Sequence, residues 1–201
     1  MINLPTIAEE AKNINAKKIF IFAHPKAGKT QAISGLPNNL VIDLEDGSGF
    51  VGGTIINVLA IAAERLELIR PKEVITHPEG FNTILQIIAE ISEQLKQKQA
   101  VYDYITIDTA TALVDIAGYL ATVRYKQSSI GKNYTGKNVV KDLPNGAGYE
   151  WLREAYKAIL LSLEVYAKEC SIIVGHVRDA SVARSLSSVS KDNIVLLPSF
   201  L

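Results

Sequence analysis

The sequence predicts an α/β domain with a mostly parallel sheet and helices on both faces. Short apolar runs typical of strands alternate with helical patterns along the chain. With 201 residues, 48% of them hydrophobic, the chain can bury one sizeable core, so we expect a single domain over residues 1–201. It stops on the apolar stretch 194–201 without a solvated tail, so a shortened or unusually compact version of a longer domain is expected.

Composition narrows the class of protein. Lys plus Arg equals Asp plus Glu, at 21 each, so no global charge points to a nucleic acid or a membrane, and any such partner must be read from local patches. The single cysteine, Cys170, cannot form an internal disulfide, and the N-terminal residues lack the order of a signal peptide. No apolar run approaches the roughly 20 residues of a membrane span. We expect a cytoplasmic protein without a membrane partner.

The individual elements follow from hydrophobic periodicity and turn residues. Strands are predicted at 18–22, 40–44, 101–109 and 171–177. Helices are predicted from Lys29 to about residue 33 and over 81–97, 110–126 and 149–169. Segment 54–70 stays open, because its β-branched start suits a strand and its later part suits a helix. Residues 127–148, rich in glycine, are predicted to form a loop.

A phosphate-binding motif follows the first strand. "AHPKAGKT", residues 23–30, matches the pattern Gly, four free positions, Gly-Lys, Ser/Thr, except that Ala23 replaces the first glycine. Alanine is tolerated there unless the backbone must be left-handed. In such a loop backbone N–H groups wrap the phosphates, the lysine reaches the terminal phosphates and the hydroxyl binds Mg²⁺. The alternative is a plain strand–turn–helix link. We expect ATP to be bound by Pro25, Lys26, Ala27, Gly28, Lys29, Thr30 and Gln31.

Two acidic residues follow later strands. Asp108 ends the strand "VYDYITID" at the carboxyl edge of the sheet, where it is placed to hold Mg²⁺ through water, the Walker-B role; capping the helix that begins at Ala110 is the alternative. Glu45, in "DLEDG", is chosen to orient the attacking water, because Asp43 is still inside the strand and Asp46 begins a turn. A solvated acidic turn is the alternative for Glu45.

His176 closes the apolar strand "SIIVGHV". A polar residue at this end can contact a γ-phosphate and pass its presence to the following loop, and Gly175 leaves room beside it. The alternative is a core histidine with its hydrogen bonds satisfied.

These motifs, in this order, resemble the RecA-like P-loop ATPases, most of all the small phage-encoded members that accompany single-strand annealing recombinases. The resemblance runs over about residues 18–179, and the family usually carries more sequence after the sensor strand. It implies a RecA-like P-loop NTPase core. It also implies ATP hydrolysis with Lys29, Glu45 and His176 as catalytic residues, and Thr30 and Asp108 as the magnesium site. A ring or filament is expected, with a single-strand annealing protein as partner and the host cytoplasm as location if the chain is phage-encoded.

A basic segment, residues 124–141, contains five Lys or Arg residues and no acid, with tyrosines between them. Cations that neutralise phosphates and rings that stack on bases form a sequence-tolerant single-strand site. A solvated insertion has the same composition. The loop after His176 supplies the second contact, unless one of its arginines reaches a neighbouring subunit's nucleotide. We predict that single-stranded DNA is contacted by Lys126, Lys132, Tyr134, Lys137 and Arg184.

The predicted function is ATP hydrolysis with Mg²⁺, coupled to single-stranded DNA in recombination or replication. One alternative is a nucleotide-gated assembly or scaffold protein that scarcely hydrolyses ATP. A second is a small-molecule phosphotransferase, which is disfavoured because the 127–148 loop has no arginine for a lid.

Overall fold

The computed structural model describes residues 17–24, 26–49, 51–97, 102–179 and 196–198. The strands are β1 (Lys18–Ala23), β2 (Asn39–Asp43), β3 (Thr54–Asn57), β4 (Tyr104–Asp108), β5 (Cys170–Asp179) and β6 (Leu196–Pro198). The helices are α1 (Lys29–Ser34), α2 (Val58–Arg65), α3 (Gly80–Gln97), α4 (Ala110–Gln127), α5 (Val139–Asp142) and α6 (Gly148–Glu164). Short 3₁₀ helices form at Pro71–Thr76 and Pro144–Gly146.

Five strands form one parallel sheet in the order β1-β5-β4-β2-β3, and β6 pairs antiparallel with the end of β5. The register places Ala23 beside His176 and Asp43 beside Asp108. The ends of β1, β5, β4 and β2 therefore meet at one edge, which is where ligands bind in open α/β sheets. The α/β class and the mostly parallel sheet are confirmed.

Helices cover both faces because each strand alternates its side chains. On β5, Ile173 joins the large core with helices α2, α3, α4 and α6, whereas Ile172 and Val174 pack with Ile33 of α1 on the other face. Nearly continuous apolar strands such as β2, which is buried throughout, are expected in a sheet covered on both sides. Among the described residues, no helix combines the length and the hydropathy needed to cross a bilayer.

Several predicted boundaries change. The open segment 54–70 contains both elements, since Thr54–Asn57 pairs with β2 and α2 begins at Val58. The helix predicted over 149–169 ends at Glu164, and the strand predicted over 101–109 is limited to Tyr104–Asp108. The predicted loop 127–148 contains α5 and a 3₁₀ turn. The final apolar stretch is described only for β6.

Asn39 ties α1 to the sheet. Its amide nitrogen donates to the carbonyl of Ile33 at 2.7 Å, and its amide oxygen accepts from the Thr106 hydroxyl at 3.0 Å. Both polar side chains are buried, with 4% of Asn39 and none of Thr106 exposed. Since buried polar groups are stable only when paired, these two bonds fix the far end of the helix that begins at the phosphate-loop motif.

Candidate active site

The loop between β1 and α1 turns sharply. Ala27 N–H donates to the carbonyl of His24 at 3.3 Å, and Lys26 and Gly28 have left-handed backbones with φ of 65° and 79°. Gly28 thus occupies a position where glycine carries no steric penalty. Ala23 is the last residue of β1 and is not left-handed, which explains why alanine is compatible with the first position of the motif.

Lys29 points into this loop. Its ammonium donates to the carbonyls of Ala23 at 3.1 Å and His24 at 2.9 Å, and contacts Nδ1 of His176 at 3.2 Å. Only 8% of the residue is exposed. All three N–H bonds of the ammonium are therefore used, and its charge lies inside the loop where the motif requires it.

Thr30 and Asp108 are joined directly. The Thr30 hydroxyl donates to Oδ2 of Asp108 at 2.6 Å, although the residues are 78 positions apart. The helix-cap alternative for Asp108 is wrong, since α4 is capped by Thr109, whose hydroxyl accepts from the N–H of Ala112. The Asp108 side chain is instead directed at the first turn of α1.

Burial raises the pKa of Asp108, and the nearby carboxylates of Asp43 and Glu45 raise it further, while the hydrogen bond from Thr30 and the charge of Lys29 oppose the shift. A buried carboxylate beside two others gains from a cation. Hydroxyl and carboxylate oxygens are ligands that suit Mg²⁺, which usually takes one or two carboxylates together with phosphates and waters. The described residues contain no group of three or more His, Cys, Asp or Glu side chains able to hold a metal alone. Thr30 and Asp108 therefore fit a magnesium ion that a nucleotide also coordinates.

The three acids at the end of β2 and in the turn that follows it have different environments. Asp43 is 1% exposed, and its carboxylate accepts from the backbone N–H groups of Glu45 and Ser48, both at 2.8 Å. Asp46 accepts from the amide of Asn57 at 2.6 Å. These two acids shape the turn. Glu45 alone is directed to the neighbouring strand ends.

The carboxylate of Glu45 is held at both oxygens. Oε2 lies 2.8 Å from Nε2 of His176, and Oε1 accepts from the hydroxyl of Thr109. One third of the Glu45 side chain and about a quarter of His176 are exposed. The sequence motifs assign no role to Thr109, although its position between a strand acid and a helix marks it as a cap.

The contacts of His176 determine its tautomer. Lys29 is only a donor, so Nδ1 of His176 must accept its N–H, and Nε2 must carry the proton that is donated to Glu45. A continuous hydrogen-bond chain runs from Lys29 through His176 to Oε2 of Glu45, and Thr109 donates to the other oxygen of the same carboxylate.

A cavity of about 270 Å³ adjoins Glu45. Its wall includes four buried aliphatic side chains, one directly after β2 and one each from α2, α3 and α4: Leu44, Leu59, Ile84 and Ile116. The first turns of α4 complete the wall beside Glu45. On this side, Glu45 therefore faces open space instead of packed side chains.

The basic segment begins far from this edge. Lys126 lies 16 residues beyond Ala110 on α4, which corresponds to about 24 Å along the helix axis. Lys126, Lys132 and Lys137 are exposed. The Lys126 ammonium lies 5.8 Å from the centroid of the Tyr134 ring, within cation–π range.

Tyr134 is part of a small aromatic cluster. Its ring meets Tyr125 edge-on at 5.2 Å, and Tyr125 meets Trp151 in the same way at 5.3 Å. The Tyr134 hydroxyl donates to Asp142 at 2.5 Å, and burial together with this bond raises the pKa of Tyr134 to about 12. The hydroxyl of Tyr134 and part of its ring are thus occupied by protein contacts.

The remaining predicted site residues are either exposed or outside the described residues. Lys26, Ala27 and Gln31 are exposed along the loop and α1. Pro25 and Arg184 lie outside the described residues. The side chains that are brought together are those of Lys29, Thr30, Glu45, Asp108 and His176.

Comparison with known families agrees with this geometry. A family model described as an AAA domain matches residues 15–188, which is most of the chain. A search of curated proteins found no match.

Proposed function

Because the chain belongs to the AAA domain family of P-loop NTPases, we propose that it binds ATP with Mg²⁺ and hydrolyses it to ADP and phosphate. The observation that carries the proposal is the set of side chains joined by hydrogen bonds at one sheet edge. Lys29 reaches His176, His176 reaches Glu45, and Thr30 reaches Asp108. Residues from four chain segments converge there, as catalysis by positioning requires.

Binding would use the β1–α1 loop. Backbone N–H groups of the loop and the start of α1 face the phosphates, and Lys29 exchanges its bonds to the Ala23 and His24 carbonyls for phosphate oxygens. Thr30 and Asp108 would hold Mg²⁺. When bound, this ion neutralises charge on the β- and γ-phosphates.

Hydrolysis would use Glu45. A carboxylate has about four acceptor positions and two of those on Glu45 are taken by His176 and Thr109, so a water can still be held and oriented. The water oxygen bonds to the γ-phosphorus, the bond from that phosphorus to the β,γ-bridging oxygen breaks, and the water proton passes to the carboxylate. His176 would sense the γ-phosphate, because Lys29, which would bind the phosphates, also contacts His176 directly.

The test of hydrolysis is Glu45→Gln. We expect ATP affinity to change less than about threefold and phosphate release to fall by about 100-fold or more, because the amide cannot accept the proton. The matched control is Glu154→Gln on the exposed side of α6, which should hydrolyse ATP at the parent rate. Phosphate release at parent rate in Glu45→Gln contradicts the role of Glu45. A parent protein without any turnover favours the nucleotide-gated scaffold.

We further propose that the basic segment binds single-stranded DNA, and that hydrolysis serves recombination or replication in a ring or filament alongside a single-strand annealing protein. The exposed lysines of this segment, and the Lys126 ammonium 5.8 Å from the centroid of the Tyr134 ring, support this. Replacing Lys126, Lys132 and Lys137 by Gln should weaken DNA binding. It should also reduce the slope of log affinity against log salt concentration by about 2, because each lost phosphate contact lowers that slope by about 0.7.

The control for this triple variant neutralises three exposed lysines elsewhere on helices and the following turn. These are Lys96, Lys157 and Lys168. An unchanged affinity and salt slope in the basic-segment variant would make that segment a solvated insertion. Turnover with and without single-stranded DNA, and sedimentation with a non-hydrolysable ATP analogue, separate a DNA-dependent motor from a scaffold and from a phosphotransferase.

A further inference from the structure

We infer that Thr109 is a positioning residue, whose hydroxyl holds the Glu45 carboxylate in the orientation needed to activate water. The inference rests on the proposed ATP hydrolysis and goes beyond it, because Thr109 touches neither phosphate nor metal in that scheme. Its hydroxyl donates to Oε1 of Glu45, and its oxygen accepts from the N–H of Ala112 at 3.4 Å.

The Thr109 hydroxyl has a defined direction. A hydroxyl carries one proton, and the contact with Ala112 N–H uses an acceptor position, so the proton is left for Glu45. Thr109 is 1% exposed, so water does not compete for that proton. The cap of α4 thereby sets the direction in which the hydroxyl points.

Glu45 needs such a contact. It lies in a turn, a third of its side chain is exposed, and it adjoins the cavity. A glutamate with this freedom has several rotamers. His176 holds one oxygen, and Thr109 holds the other from a different strand end. Two contacts, one to each carboxylate oxygen, select one carboxylate orientation, whereas one contact would allow rotation about it.

Thr109 can act in two ways, as the cap of α4 alone or also through Glu45. If Thr109 only caps α4, its loss lowers stability and affects turnover equally whether or not residue 45 is a carboxylate. If it acts through Glu45, its loss lowers turnover only while the carboxylate is present. A double-mutant cycle distinguishes these cases.

The experiment measures kcat, KM for ATP and thermal melting for Thr109→Val, in the parent and in the Glu45→Gln background. In the parent, kcat should fall about 10- to 100-fold, the range for losing a hydrogen bond to a charged group, while KM changes less than about twofold. In the Glu45→Gln background, Thr109→Val should lower the residual rate less than about twofold. Thr109→Ser, which restores the hydroxyl, should recover most of the lost kcat.

Two further variants protect the interpretation. Thr122→Val removes a hydroxyl from the same helix, where it donates to the carbonyl of Gly118 at 2.9 Å without touching Glu45, and should leave kcat unchanged. Thr109→Gly removes the hydroxyl at a small cost to the cap. If Thr109→Val does not fold, Thr109→Gly takes its place in the experiment and should show the same loss of kcat.

Equal losses in both backgrounds, a parent-like kcat in Thr109→Val or Thr109→Gly, or no recovery in Thr109→Ser would overturn the inference. If Glu45→Gln lowers turnover but these variants do not, the inference fails and the proposed function stands. If Glu45→Gln itself hydrolyses ATP at the parent rate, the proposed role of Glu45 fails and the inference with it.

Discussion

Replacing Lys29 by methionine removes the charge inside the phosphate loop while keeping an aliphatic chain of similar length. The ammonium makes three hydrogen bonds, at 2.9 to 3.2 Å, and the residue is 8% exposed. Methionine can fill the same space but donates nothing to the carbonyls or to His176. The variant therefore tests the role of the charge separately from the packing of the side chain.

The expected magnitudes differ for folding and for binding. The lost bonds are partly offset by no longer burying an ammonium, so Lys29→Met should destabilise the protein by only about 1 to 2 kcal/mol. For the parent, ATP at 100 times its Kd stabilises the fold by about 2.7 kcal/mol. For a chain of 201 residues this raises the melting temperature by about 5 to 11 °C. A 100-fold weaker Kd leaves about 0.4 kcal/mol, or about 1 °C, at the same ATP concentration.

The assay is thermal unfolding with Mg²⁺, with and without ATP. The matched control, Lys157→Met on the exposed side of α6, should show the full ATP-induced shift. A full shift in Lys29→Met would refute the assignment of the loop, because binding would then not depend on the ammonium. Loss of the shift in the control would indicate a general effect of lysine removal.

Three other substitutions have definite signs. The raised pKa of Asp108 means that the folded state binds the carboxyl proton more tightly than the unfolded chain does. Above that pKa, ionised Asp108 therefore destabilises the fold. Asp108→Asn should therefore raise the urea midpoint at neutral pH and abolish hydrolysis; the gain shrinks as pH falls through the raised pKa, and a lower midpoint at neutral pH would contradict this. Thr106→Val leaves the buried oxygen of Asn39 without its donor and should cost about 1 to 3 kcal/mol in urea unfolding; an unchanged midpoint would show that another donor replaces the hydroxyl. The Tyr134 hydroxyl lowers the pKa of Asp142, so Tyr134→Phe should raise that pKa in an NMR titration, and an unchanged value would place the cause elsewhere.

Strand positions could be predicted well because buried parallel strands are nearly continuous apolar runs. The exception is Thr54–Asn57, which the sequence left undecided. It pairs along β2, residues 39–43, and a partner distant in the chain decides whether a short β-branched segment forms a strand or a helix. Likewise, the sequence predicts a loop where the small helix Val139–Asp142 forms, because four residues are too few to show a helical period. It is stabilised by its Asn138 cap and by contact with Thr122.

The site was predictable in its residue types but not in its connections. Gly-Lys-Thr and the strand-end acids mark their chemistry through local spacing. Thr109 does not, because its hydrogen-bond partner is Glu45, 64 positions away. In the sequence, only position distinguishes Asp43, Glu45 and Asp46, whereas the structure separates them by what each carboxylate accepts, as for Asp43 and two backbone N–H groups.

The anchoring of α1 has a mechanical consequence. At one end the Thr30 hydroxyl donates a hydrogen bond to Asp108 on β4, and at the other the Asn39 amide donates to the Ile33 carbonyl. The helix has six residues and is about 9 Å long. Because it is hydrogen-bonded to one sheet at both ends, it is held rigidly in place. We therefore expect conformational change on nucleotide binding to involve the loop before Lys29, where Lys26 and Gly28 have left-handed backbones. Stiffening that loop, and not the helix, is the change that would alter the speed of nucleotide exchange.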